Sequence, residues 1–141
     1  MSRNQITVVG LVQKKRHLKL EKAIKAAAFF ILKALHQSDV ELEIYLAGSQ
    51  RMLALNKKFR GKNKAADVLS FNEPEDFISG YNLRPLGEVF LNINELKNRE
   101  RVIFLLIHGI LHLLGYDHIK KNDRIKMEQK EAELLKKCTL P

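Results

Sequence analysis

The stretch His108-Gly109-Ile110-Leu111-His112-Leu113-Leu114-Gly115-Tyr116-Asp117-His118 limits what this chain can fold into more than any other. Its first two histidines stand four residues apart inside an apolar run. Four residues at about 100° each return to within roughly 40° of the starting direction, one turn along, so on a helix both imidazoles leave the same face. Gly115 follows three residues after His112, where a glycine can take the left-handed conformation that ends a helix and turns the chain back. His118 then has a route to the same point. Three of the chain's five histidines lie in this stretch, which predicts one metal site on His108, His112 and His118. Three neutral imidazoles leave a fourth tetrahedral position open to water, as in a catalytic zinc site rather than a closed structural one. Nickel, copper or cobalt would suit the same donors. His17 and His36 are read as ordinary core or surface histidines.

Hydrophobic periodicity supplies the frame around this site. Ile6 to Val12 is a short β-branched run closed by Lys14, Lys15 and Arg16, which reads as a strand entering a basic turn. Leu20, Ile24, Ala27, Ala28, Ile31 and Leu35 recur at the helical period and predict a helix from about Leu18 to Leu35. Val40, Leu42, Ile44 and Leu46 alternate with Glu41, Glu43 and Tyr45, the pattern of a strand with one buried face. Ser49 is the expected N-cap of a helix through Met52, Leu55 and Phe59. Asp67 to Phe71 and Leu86 to Ile93 read as two further strands. The connection between them, Asn72 to Pro85, is long enough to suggest a flap near a site. A strongly apolar helix is expected from Asn94 to Leu114 and a charged surface helix from Asn122 to Lys137. The order β-α-β-α-β-β-α-α implies an α/β (α+β) fold, a mixed sheet of about four strands packed with four to five helices.

The 141 residues suit a single domain, 1–141, large enough for an apolar core without disulfides. Lys and Arg outnumber Asp and Glu by 25 to 16, giving a formal charge of +9 that favours polyanions such as nucleic acid. Cys138 is the only cysteine and is read as a bystander, which excludes an intramolecular disulfide and fits a reducing compartment. Met1 to Leu20 lacks the apolar core of a signal peptide, and no apolar run approaches membrane-spanning length. Cytoplasmic residence without a membrane partner is therefore expected, and the chain is read as a monomer.

The spacing H-x-x-x-H-x-x-G-x-x-H is shared with the metal helix of metzincin proteases, whose pattern also places Glu directly after the first His as general base. Here that position is Gly109, so a peptidase would lack its proton acceptor. The stretch resembles instead the YbeY family of bacterial endoribonucleases, whose hallmark H-G-x-L-H-L-x-G-Y-D-H it matches at every fixed position. The resemblance extends through Leu55-Asn56, Phe59-Arg60-Gly61, Asp67-Val68-Leu69-Ser70-Phe71 and Leu86-Gly87-Glu88-Val89, in the family's order, and covers residues 40 to 130 or so. Ala66 stands where that family usually has Thr. The resemblance implies a zinc-dependent, single-strand-specific endoribonuclease, one Zn(2+) per chain, acting on the 3′ end of small-subunit ribosomal RNA and in ribosome quality control.

Cutting a phosphodiester builds negative charge, and an arginine's planar fork can bind two phosphate oxygens. Arg60 matches the family's Phe-Arg-Gly position and lies in the densest basic stretch, so it is counted as catalytic together with His108. Lys57, Lys58, Lys62 and Lys64 around it are candidate RNA contacts. Asp117 is the candidate carboxylate for the outer nitrogen of a ligand histidine, with capping of the turn as its other role. Ser70 and Phe71 end a strand and are candidate groove residues, Phe71 as a stacking face. Two other classes remain open: a hydrolase of another substrate such as a peptide, and a ribosome-associated factor with a structural ion.

Overall fold

A computed structural model describes residues 3–12, 18–74 and 82–138. Its elements are β1 (Gln5–Gly10), α1 (Leu18–Ala34), β2 (Val40–Ala47), α2 (Ser49–Arg60), β3 (Val68–Asn72), β4 (Arg84–Asn92), a 3-10 turn (Ile93–Glu95), α3 (Arg99–Leu113) and α4 (Lys121–Lys137). The element order is the one expected. The four strands lie in the order β1-β2-β4-β3. β1 and β4 both run parallel to β2, while β3 runs antiparallel to β4, so β1 and β3 form the sheet's edges.

The alternation in β2 divides the molecule into layers. Val40, Leu42, Ile44 and Leu46 are fully or almost fully buried on one face, against Ile24, Ile31 and Leu32 of α1 and Leu106, Ile107 and Ile110 of α3. Ala47 on the other face joins Met52 of α2, Leu69 and Phe90 in a smaller cluster. Removing the side chain of a fully buried Leu or Ile from the larger layer, to Ala, would cost about 2 to 5 kcal/mol.

Several boundaries differ from expectation, each for a local reason. α2 is capped by the backbone of Gly48 with no side-chain cap bond, and Ser49 is its first residue. The Ser49 hydroxyl instead accepts hydrogen bonds from the amides of Asn92 and Asn94, tying the start of α2 to the end of β4. The helix expected from Asn94 is interrupted, because Asn98 caps α3 by accepting the Arg101 N–H at 3.1 Å. Strand β4 begins at Arg84, so part of the expected 72–85 connection is strand. Pro85 is tolerated there beside a bulge at Glu41/Leu42. Residues 75–81 of that connection, the basic turn and His17 lie outside the described residues.

Candidate metal centre and active site

Helix α3 carries His108 and His112 on one face, their Nε2 atoms 3.1 Å apart and their ring centroids 4.5 Å apart. The helix stops as the glycine requires. Gly115 has φ +98°, its N–H bonds the His112 carbonyl at 3.1 Å, and the Tyr116 N–H reaches back to the Leu111 carbonyl at 3.0 Å. That pair of bonds reverses the chain. It brings the His118 ring within 5.7 Å of His108 and 5.1 Å of His112. One nitrogen from each of the three rings lies within 4.8 Å of the others.

This donor set fits a zinc-type ion. Two nitrogens at ~2.0 to 2.1 Å from a tetrahedral ion sit about 3.3 Å apart, close to the His108–His112 spacing, and the exposed His118 needs only a small approach. Burial pushes the His108 and His112 imidazoles below the ordinary histidine range, and neighbouring positive groups push them further, His118 and Arg101 on His108 and then His108 and His118 on His112. Both rings are thus favoured in the neutral form that a cation needs.

The carboxylate behind the site is Glu131 of α4. Its Oε2 lies 3.1 Å from His108 Nδ1, and its side chain is 8% exposed. A proton held on Nδ1 by that carboxylate leaves the Nε2 lone pair facing His112. Asp117, the carboxylate expected in this role, lines the same cavity but uses Oδ1 to accept the Ile119 N–H at 3.2 Å, capping the turn. The signal for Glu131 was present in the sequence. Met127, Glu131, Leu134 and Cys138 are the buried residues along α4 and just beyond it, so the acid occupies an apolar position of a surface helix.

The histidines line a cavity of about 740 Å³ that also takes in Arg60, Lys62, Lys64, Ser70 and Ala66. Arg60 Nη2 donates to the Ser70 carbonyl at 2.7 Å, with the guanidinium 5.0 Å from the Phe71 ring centroid. The Ala66 carbonyl accepts from the Asn92 amide at 3.3 Å, which anchors the loop without a hydroxyl at that position. Lys57, Lys58 and Phe71 are not among the cavity's lining residues. Lys58 Nζ instead lies 5.2 Å from the Phe59 ring, and Phe71 points to the α2 side of the sheet, edge-on to Phe59 and Phe90. Arg101 and Phe104, which sequence reasoning missed, do line the cavity. They precede His108 by seven and four residues on the same helix face, and Arg101 is paired with Asp67 at 2.8 Å.

Gly109 faces the sheet. Its carbonyl accepts the Ser70 hydroxyl at 2.9 Å, and a Cβ added there would lie 2.8 Å from Val89 Cγ1. A glutamate at this position has no room, so the general base of the metzincin arrangement is excluded by packing as well as by sequence.

Residues 11–139 match the family model for endoribonuclease YbeY. The chain is 40% identical over 116 residues to an endoribonuclease YbeY of Sulfurihydrogenibium sp., covering 76% of this chain and 75% of that one. It is 37% identical over 133 residues to the Aquifex aeolicus protein of the same description, covering 88% and 84%. A solution structure of a Thermotoga maritima protein superposes with a TM-score of 0.60 at 27% identity, over 94% of this chain and 87% of that one.

Proposed function

Because the chain belongs to the YbeY family of endoribonucleases, we propose that it cuts single-stranded RNA with the help of one zinc ion held by His108, His112 and His118. The observation that carries this reading is the convergence of three imidazoles in a cavity that also holds Arg60, Lys62 and Lys64. An ion bound there supplies a Lewis acid and lowers the pKa of a bound water toward neutrality.

The chain's own residues supply the rest. Ser70 holds the Arg60 guanidinium at the cavity through one of its five N–H groups, leaving others for two oxygens of a phosphodiester. Lys62 and Lys64 neutralise neighbouring phosphates, which places the RNA backbone along the end of α2. Glu131 fixes the proton and the orientation of His108. The substrate on this reading is the 3′ end of small-subunit ribosomal RNA on or near the ribosome, and the protein works as a monomer in the cytoplasm. The charge of +9 suits such a partner.

The test couples elemental analysis of the purified protein to cleavage of single-stranded, double-stranded and ribosome-bound RNA, with and without a chelator. One zinc per chain and chelator-sensitive products from single strands are expected, and His112→Ala should lose both. RNA left intact by the zinc-loaded protein would overturn the proposal, and release of peptides from casein would replace it with the peptidase reading.

A further inference from the structure

A second cavity lies on the α4 side of His108. It measures about 530 Å³ and is walled by Phe104, Met127, Ala132 and Leu135, with Arg124 and Glu128 as its exposed charged groups and the buried Glu131 behind His108. His108, His118 and Phe104 line both cavities, so the metal centre stands at the partition between them. The two sides differ in chemistry. The first is edged by Arg60, Lys62 and Lys64, whereas the second is mostly apolar and aromatic. Its α4 wall is a single stripe: Arg124, Met127, Glu128, Glu131, Ala132 and Leu135 each stand three or four residues from another of the set and share one helix face. The Phe104 ring is half-buried and stacked on His108 at 5.9 Å and 29°.

Resting on the nuclease reading above, we propose that this second cavity is a base pocket, which receives the nucleobase adjacent to the phosphodiester at the metal centre. A single strand whose phosphate lies against the ion must place a flanking base within one nucleotide's reach. The basic cavity suits its backbone and the apolar cavity its base. An apolar pocket of this size with a few polar groups is the usual form of a small-ligand site, and an aromatic wall gives any base a face to stack on. The Glu128 carboxylate accepts hydrogen bonds and donates none. Uracil meets it with a single N3–H flanked by two carbonyl oxygens that the carboxylate repels, so Glu128 favours a base whose exocyclic amino group stands free to donate, as in adenine, cytosine and guanine.

The experiment uses zinc-loaded full-length protein and single-stranded RNA oligonucleotides that carry each of the four bases in turn on either side of the mapped cut. Uracil on one side only should raise KM roughly tenfold, about the worth of one hydrogen bond to a charged group. Ala132→Phe, which fills the pocket from an exposed helix position, should bring KM for all four bases to one common, higher value with zinc content unchanged. Should that variant lose zinc, binding of an uncleavable oligonucleotide with 2-aminopurine at the same position decides, since stacking in the pocket quenches its fluorescence. Equal KM for all four bases, an Ala132→Phe variant with unaltered preference, or unquenched 2-aminopurine overturns the pocket alone. A wild-type protein that cuts none of the RNAs overturns the nuclease reading, and the pocket with it.

Discussion

Replacing Glu131 separates its role at the metal site from its role in the fold. In the native arrangement its carboxylate accepts from His108 Nδ1 at 3.1 Å and is itself 8% exposed. Glu131→Ala removes that acceptor and leaves the Nδ1–H in a pocket where water enters only in part, because the His108 side chain is 23% exposed. An unsatisfied buried donor costs about 1 to 3 kcal/mol, and loss of such a carboxylate typically weakens metal binding 10- to 100-fold. The partial exposure of His108 places the expected loss of zinc affinity in the lower half of that range, about 10- to 30-fold. Glu131→Gln keeps an acceptor oxygen but no charge, so it should lose less. Burial also pushes the Glu131 carboxyl above the ordinary range, so the neutral glutamine should leave the melting temperature of the metal-free protein equal or higher. Zinc competition against a chromogenic chelator measures the affinities, and thermal melts measure the fold. Glu131→Ala protein that binds zinc as tightly as wild type would refute the positioning argument.

Three other outcomes are expected. Arg60→Ala should keep zinc and a near-native melting temperature while slowing cleavage about 100- to 1,000-fold, as when one oxyanion donor is removed; steady-state kinetics with metal analysis checks this, and unchanged kcat removes Arg60 from the reaction. Gly109→Ala should lower the melting temperature although alanine is the better helix former, because the clash with the stiff, buried Val89 costs about 1 to 3 kcal/mol against a propensity gain of about 1; a raised melting temperature contradicts the close packing of α3. Zinc retention should fall as pH drops below the ordinary histidine value of 6.5, followed by dialysis at stepped pH. The depressed values of His108 and His112 mean that the folded chain takes up fewer protons than the unfolded one just below that point. Their contribution to metal-free stability is thus present above pH 6.5 and is lost as pH falls.

What the sequence revealed followed from periodicity and spacing. The alternation from Val40 to Leu46, the helical recurrence from Leu20 to Leu35 and the His108–His112–His118 spacing each encode geometry within one element or one turn. What it concealed depended on contacts between elements. Ser49 looks like a cap because it is a serine before a helix, yet its hydroxyl serves Asn92 and Asn94 across the chain. Ile93 and Leu96 continue the apolar pattern of α3 and mask the break that Asn98 makes. Asp117 was the nearer carboxylate along the chain, but the fold brings Glu131 to His108 from a different helix. Phe71 sits one residue from Ser70, and the strand's alternation alone sends the two side chains to opposite faces.

Among the described residues strand β3 borders the sheet, and the groups on its outer side meet no further strand there. The Asp67 carbonyl is engaged with Asn92 of β4, and three residues further on the Ser70 carbonyl points the other way, to where the Arg60 guanidinium meets it. The arginine thus also blunts an open sheet edge, placing a charged side chain where a stray extended segment could otherwise add itself and begin aggregation. Selection for keeping this protein dispersed and selection for its chemistry would act on one and the same residue.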